Sequence, residues 1–102
     1  METQGASEGR DDPALMAELA RGDRRAFRAL YERHQAQVYR VAYGVLLDEG
    51  EARDVVQEVF WALFQEAPRW RPEAPLWAYL RKLALNRSLS LRRRLQGFLR
   101  PW

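Results

Sequence analysis

Apolar residues recur at intervals of three and four over most of this 102-residue chain, which is the spacing of one face of a helix. These runs cover residues 13–21, 24–47, 50–66 and 76–95. Between the last two runs, the segment APRWRPEAP contains Pro68, Pro72 and Pro75, and prolines at this density prevent a continuous helix. No stretch shows the strict alternation of a strand. The sequence therefore predicts an all-α fold, a compact bundle of about four helices.

Capping residues mark several helix ends. Asp12 followed by Pro13 predicts an N-cap with proline at the first helical position. Gly22 follows the first run and predicts a left-handed C-terminal cap. Asp48, with Glu51 three residues later, is a weak form of the capping box and predicts the start of the third helix.

The two ends of the chain differ in composition from the middle. Residues 1–11 are polar and lack the apolar run of a signal peptide, so we expect a flexible leader. A helical domain is expected over residues 12–96. Residues 97–102, which include Gly97 and Pro101, are expected to begin an interdomain linker or tail.

Composition restricts the function classes. Hydrophobic residues make up 47% of the chain, which excludes a disordered protein, and no run approaches the length of a membrane span. The absence of cysteine excludes a disulfide framework and a thiolate metal site. His34 lies on the apolar face of the second run and is interpreted as a packing residue, since no second histidine could complete a metal site. We expect a soluble, cytoplasmic domain that is not an enzyme and needs no cofactor, because no nucleophile–base pair or glycine-rich phosphate loop occurs.

Charge is separated along the chain. Residues 76–102 carry seven basic side chains and no acidic one, whereas residues 48–66 carry six acidic side chains and one Arg. Lys and Arg contacts to phosphates release condensed counterions, so the basic segment indicates a nucleic acid. The acidic segment indicates a second surface, suited to a basic partner.

The third helix is predicted to present a polar and aromatic face opposite its core stripe. The stripe consists of Ala52, Val55, Val56, Val59, Phe60 and Leu63. The opposite face consists of Asp54, Gln57, Glu58, Trp61 and Gln65. An exposed tryptophan among carboxylates and amides is typical of a protein interface. The alternative is that Trp61 packs under the leader or the first helix.

Aromatic and basic side chains share one face of the last helix, away from the apolar face that contains Leu76, Leu80 and Leu83. The shared face contains Tyr79, Lys82, Asn86 and Arg93, and the preceding loop adds Trp70 and Arg71. Aromatic planes stack on bases, cations reach phosphates, and an amide can read a base edge. Together with Arg81, this cluster predicts binding of single-stranded or partly melted nucleic acid. The alternative is a solvated helix face with ordinary surface charges.

Two arginines complicate the last helix. Arg87 and Arg94 fall among its apolar positions. Either the helix leaves the core near Asn86, or these arginines extend their charged ends to solvent past an apolar surface.

Two motifs connect these surfaces to a known family. The first is DVVQEVF at residues 54–60, and the second is WAYLRKLALNR at residues 77–87. In this order and separation they resemble conserved region 2 of bacterial sigma factors of the extracytoplasmic-function (ECF) group. The resemblance covers about residues 12–96. It implies a helical module for transcription initiation that binds promoter DNA and the RNA polymerase core.

The resemblance also implies roles for particular residues. The family's Asp, Gln and Glu of the first motif dock on the clamp helices of the polymerase β′ subunit, which corresponds to Asp54, Gln57 and Glu58. The family's loop captures a base flipped from the nontemplate strand of the minus-ten element, which corresponds to the segment around Trp70 and Arg71. Asn86 matches the family's asparagine in the base pocket, and nearby basic residues follow the strand. Family members commonly have an anti-sigma factor that masks the polymerase-binding surface.

The sequence departs from the family in three respects. The loop reads WRPEAP where relatives often carry a flexible aromatic, basic and glycine sequence, so a stiffer loop with another base preference is expected. Tyr79 stands where many relatives have Trp. We expect the second sigma domain of the family, region 4, to be absent from this chain, through excision of a domain and not through natural truncation. Two rival functions are a helical protein-interaction adaptor with no DNA role and a nonspecific single-strand binder.

Overall fold

The helices of the bundle follow the apolar runs of the sequence. The computed structural model describes residues 9–99. It contains helices α1 (Asp12–Ala20), α2 (Arg24–Leu46), α3 (Glu49–Glu66) and α4 (Leu76–Leu99), with a 3-10 turn (Ala67–Arg69) after α3. No strand occurs within residues 9–99. The predicted all-α bundle of four helices is therefore confirmed.

Helix α3 is the central packing element. It contacts both α2 and α4, which also contact each other, and α1 lies against α2 and the 3-10 turn. All six residues predicted for the core stripe of α3 are buried. The other helices meet them with the buried side chains of Leu15, Met16, Leu30, Val38, Ala42, Leu76, Leu80 and Ala84. The predicted core is thus confirmed for α3 and holds for most of the apolar positions of the other helices.

The helix ends largely follow the capping signals, with one correction. The Asp48 side chain accepts a hydrogen bond from the backbone N–H of Glu51 at 2.8 Å, and Gly22 adopts a left-handed φ of 89° after α1. The N-cap of α1, however, is Asp11 and not Asp12, since the Asp11 carboxylate accepts from the Ala14 N–H at 3.0 Å. The Asp12 carboxylate instead faces α2.

Asp12 connects α1 to a buried histidine of α2. His34 is only 7% exposed, and its Nε2 lies 2.9 Å from Asp12 Oδ2. Arg33 Nη1 donates to the other Asp12 oxygen at 2.8 Å. The imidazole ring is also nearly parallel to the Trp77 ring, with centroids 6.4 Å apart. These contacts confirm that His34 is a packing residue, and residues 9–99 contain no cluster of three or more side chains suited to a metal ion.

Helix α4 is longer than predicted. It was expected to end near Leu95, but it continues through Gly97 to Leu99. A single glycine lowers helix stability by about 1 kcal/mol relative to alanine, which is too little to end a helix whose neighbours are good helix formers. Residues 92–98 are all exposed, so the helix projects past the core after Leu91.

Both explanations that the sequence left open for the two arginines of α4 apply, one to each residue. Arg87 is half-buried beside the core, with its Nε buried and its Nη1 reaching the exposed Glu58, whereas Arg94 lies on the projecting, exposed part of the helix. The leader prediction for residues 1–8 and the tail prediction for residues 100–102 fall outside the residues that the structure describes. Within the described part of the chain, no helix is long and apolar enough to cross a membrane.

The burial pattern of α3 predicts that alanine substitutions at two neighbouring positions lower the free energy of unfolding by very different amounts. Phe60 is 2% exposed and packs edge-on against Phe27 and Tyr31, so Phe60→Ala should cost about 3–5 kcal/mol of the free energy of unfolding. Trp61 is 59% exposed, so Trp61→Ala should cost less than about 1 kcal/mol. Urea denaturation of both variants checks the order. A reversed order would mean that the buried and exposed sides of α3 are assigned wrongly.

The contacts of Asp12 predict that removing its side chain costs more stability than removing an exposed carboxylate elsewhere in the protein. Asp12→Ala leaves the buried Nε2 of His34 without its partner and should cost about 1–3 kcal/mol of the free energy of unfolding. Glu32→Ala removes the same charge from an exposed pair with Arg28 (3.6 Å) and should cost less than about 0.5 kcal/mol. Thermal melts of the two variants provide the comparison, and equal costs would contradict the role given to Asp12.

Candidate protein and nucleic-acid interfaces

The exposed face of α3 contains the residues predicted for polymerase binding. Asp54, Gln57, Glu58 and Trp61 are all exposed. They are spaced three, four and seven residues from Asp54, so they share one side of the helix. Trp61 is 59% exposed and does not pack under α1, so that part of the alternative is wrong, whereas packing under the leader concerns residues 1–8, which lie outside the described residues. We call these four residues the α3 face.

An aromatic side chain that the sequence analysis missed extends the α3 face. The Phe64 ring stacks on the Trp61 ring with centroids 5.6 Å apart, and Phe64 is itself exposed. Its other contact is an edge-to-face arrangement with Phe27 at 6.2 Å. The spacing of three residues from Trp61 could have revealed this pair, since side chains at i and i+3 are neighbours on a helix. Trp61 is therefore held by a ring that is anchored on α2.

One ion pair joins the α3 face to α4. Arg87 Nη1 lies 3.5 Å from Glu58 Oε1, with both side chains partly exposed. Arg87 is the residue after Asn86, so the pair links the predicted protein-binding helix to the predicted DNA-binding helix. Exposed pairs of this kind contribute about 0–1 kcal/mol, so its main effect is to orient the two side chains.

The loop before α4 and the start of α4 enclose an open pocket of about 480 Å³. It is lined by Glu66, Arg69, Trp70, Arg71, Glu73, Ala74, Pro75, Ala78, Tyr79 and Lys82. The structure thus brings together four of the predicted nucleic-acid residues, Trp70, Arg71, Tyr79 and Lys82. We call this space the loop pocket.

The other predicted nucleic-acid residues lie outside the loop pocket. Asn86 and Arg93 are exposed and follow Lys82 along the same side of α4. Arg81 is also exposed, but it points to a different side of the helix from Lys82. The predicted cluster is therefore a pocket with a polar and basic track leading away from it, and Arg81 lies beside that track.

Trp70 lines both the loop pocket and a second open pocket of about 470 Å³. The second pocket lies towards α1 and is lined in part by Asp11, Asp12 and Pro72. The half-buried Trp70 lines both spaces, as Glu73, Ala74 and Pro75 also do, and it is the aromatic residue common to the two linings. An aromatic wall with open space beside it is suited to stacking on a flat ligand.

Charges inside the loop pocket are partly paired. Arg69 Nη2 lies 3.2 Å from Glu66 Oε1, and the same nitrogen donates to the backbone oxygen of Gln65 at 3.4 Å. The sequence analysis missed Glu66 and Arg69, although their spacing of three residues across the end of α3 predicts such a pair. It also missed Glu73, which lies in the proline-rich loop itself.

The hydroxyl of Tyr79 stays protonated at neutral pH. Burial raises the pKa of the Tyr79 phenol above its usual value, and the nearby Glu66 carboxylate raises it further, against smaller opposing effects from Arg87 and Arg69. The phenol can therefore donate a hydrogen bond as well as accept one. This property is suited to the mixed donors and acceptors of a base edge.

Comparison with known proteins gives one family. The model of the Sigma-70 region 2 family matches residues 30–98, which include the α3 face and the loop pocket. The RNA polymerase sigma factor CnrH of Cupriavidus metallidurans is 34% identical over 90 residues, which are 86% of this chain and 47% of that protein.

Two mycobacterial relatives match this chain with similar identity and over a similar share of its length. The ECF RNA polymerase sigma factor SigM of Mycobacterium tuberculosis is 30% identical over 90 residues, covering 88% of this chain and 46% of that protein. The ECF RNA polymerase sigma factor SigK of Mycobacterium sp. strain KMS is 32% identical over 82 residues, covering 78% of this chain and 42% of that protein. The chain therefore spans somewhat less than half the length of these relatives. With a matching family model over most of its helices and ECF sigma factors among its relatives, the chain belongs to the Sigma-70 region 2 family.

Proposed function

We propose that this chain is a transcription initiation module with two binding surfaces. The α3 face binds the clamp helices of the RNA polymerase β′ subunit, and the loop pocket with α4 binds the nontemplate strand of the minus-ten promoter element and helps to melt it. The observation that carries this proposal is the family match over residues 30–98, because that range contains both surfaces. The names of the relatives as RNA polymerase sigma factors support it.

The chemistry of the α3 face supports a protein partner. Carboxylates and an amide surround the exposed Trp61, and its ring is already held by Phe64, so little side-chain freedom is lost on binding. Aromatic anchors of this kind are enriched among the residues that dominate binding energy. The carboxylates of Asp54 and Glu58 suit a basic partner. When such a partner engages Glu58, it replaces Arg87.

The chemistry of the loop pocket supports a single-stranded partner. Trp70 offers a ring for stacking, Lys82 and Arg71 offer cations for phosphates, and the pocket is of a size typical for small ligands, about 300–1,000 Å³. A base taken out of the helical stack costs a few kcal/mol, which stacking and hydrogen bonds in such a pocket offset. Asn86 lies farther along α4, so we assign it to a neighbouring nucleotide or to the rim of the base site.

Regulation and compartment follow from the proposed partners. A protein that acts with RNA polymerase on promoter DNA works in the cytoplasm, which is the compartment we propose. We also propose that an anti-sigma factor covers the α3 face, since an exposed aromatic pair such as Trp61 and Phe64 requires a partner when polymerase is not bound.

Substitutions on the α3 face test polymerase binding. In the double variant Gln57→Ala, Glu58→Ala, affinity for a β′ clamp-helix fragment should fall by about 1–3 kcal/mol, while the free energy of unfolding changes by less than about 1 kcal/mol. Gln37→Ala, at an exposed glutamine of α2 that lies outside the α3 face, is the matched control and should bind normally. Isothermal titration calorimetry measures the affinities. Absence of clamp binding by the wild-type chain would favour the adaptor or the nonspecific single-strand binder instead.

Substitutions on α4 test how DNA is bound. Lys82→Ala should weaken binding of all single-stranded oligonucleotides equally and reduce the salt slope by about one unit or slightly less. Asn86→Ala should instead remove discrimination at one nucleotide position, by about 1–3 kcal/mol, with little change in salt dependence. Fluorescence anisotropy with promoter-like nontemplate strands, at several salt concentrations, separates the two effects. Equal losses for every sequence in Asn86→Ala would restrict α4 to backbone contacts.

A further inference from the structure

The charges of the loop pocket leave one carboxylate without a partner. Of the two acidic residues in the lining, Glu66 is paired with Arg69 at 3.2 Å. The Glu73 carboxylate has no hydrogen-bond or ion-pair partner among residues 9–99. Arg71 and Lys82 supply the remaining charges of the lining. The pocket thus contains two cations suited to phosphates and a single free anion that is not.

A free carboxylate is unfavourable beside a polyanion unless it accepts hydrogen bonds. An ionised carboxylate only accepts, so it requires a donor from the ligand. Phosphates and sugar–phosphate oxygens offer no such donor, whereas the amino groups of bases do. The position of Glu73 in the lining therefore indicates contact with a base and not with the backbone of the strand.

The backbone at Glu73 is held in place, which a specificity-determining residue requires. The Glu73 N–H donates to the Arg71 oxygen at 2.8 Å, closing a three-residue turn around Pro72. The rings of Pro72 and Pro75 restrict the backbone on both sides. Glu73 also lines the second pocket, as Trp70 does, so it lies where the two spaces adjoin.

We propose that Glu73 selects the base that enters the loop pocket, favouring bases with an amino group on the Watson–Crick edge over thymine. This inference rests on the proposed function, which assigns the pocket to a base of the nontemplate strand. Cytosine presents an N4 amino group and adenine an N6 amino group, whereas thymine presents the acceptor O4 at the same place. A carboxylate that faces this position accepts from the amino group and is repelled by O4, so the selection requires Glu73 to face the amino group and not the neighbouring N3–H of thymine. In a base taken out of the stack, this edge is free to be read.

Cytosine and uracil provide a matched pair of probes, because they have nearly the same shape and differ only on the Watson–Crick edge, where cytosine has the N4 amino group and an acceptor N3 and uracil has O4 and an N3–H donor. The pentamers d(TTCTT) and d(TTUTT) are titrated into the 15N-labelled chain at low salt, with the indole N–H of Trp70 as the NMR signal. A Trp70→Phe spectrum assigns that signal. This readout follows binding even at millimolar affinity. Wild type should bind the cytosine pentamer at least about fivefold more tightly, which corresponds to about 1 kcal/mol, the lower end for one specific base contact.

Two variants identify the carboxylate responsible. Glu73→Gln keeps the shape but adds an amide donor, so the preference for cytosine should fall below about twofold or reverse. Glu66→Gln changes the other carboxylate of the same pocket. That carboxylate is already paired with Arg69, so this variant should keep the preference for cytosine. Glu73 is exposed and Glu66 is partly exposed, so both variants are expected to fold, and their amide spectra verify this.

The outcomes separate this inference from the proposed function. Binding of both pentamers with equal affinity by wild type, or an undiminished cytosine preference in Glu73→Gln, overturns the role of Glu73 while leaving single-strand binding in place. No shift of the Trp70 signal with either pentamer overturns the inference together with the assignment of the loop pocket. Clamp-helix binding by the α3 face is measured separately and does not depend on any of these results.

Discussion

The rotation of α3 about its own axis is the constraint on which both binding surfaces depend. Six apolar side chains of α3 are buried, and they lie between α2 and α4. Because each residue turns the helix by about 100°, a slip of one position would bury Trp61 and expose Phe60. The packing of this stripe therefore decides that Asp54, Gln57 and Glu58 face outward.

The two surfaces are close enough to interact, although they differ in chemistry. Glu58 of the α3 face is paired with Arg87, which follows Asn86 on α4. At the other end, Glu66 of α3 contributes to the loop pocket beside Tyr79 of α4. The α3–α4 contact thus supports the face proposed for protein binding on one helix and the track proposed for nucleic-acid binding on the other. A rigid contact between them would keep polymerase and promoter strand in a constant relative position.

Proline has two effects in this molecule. In sequence, Pro68, Pro72 and Pro75 separate α3 from α4. In the structure, the same residues restrict a loop that places Trp70 and Glu73 in the linings of both pockets. Restricting the unfolded loop lowers the entropy lost on folding. A stiff loop also suits a site that must hold an aromatic plane and a carboxylate at constant positions.

The sequence by itself determined the four helices, the buried stripe of α3, the exposure of the α3 face and the packing role of His34, because these follow from helical periodicity and local capping. Local signals were less reliable where two outcomes differ by about 1 kcal/mol, as at Gly97, and where a distant partner competes for a side chain, as for Asp12. Only the tertiary structure decided which residues of the loop and α4 share a pocket. It joined Trp70, Arg71, Tyr79 and Lys82, excluded Arg81, Asn86 and Arg93, and added Glu66, Arg69 and Glu73. The physical reason is that a pocket depends on how a non-helical loop folds back over two helices, and no periodicity in the sequence encodes that path.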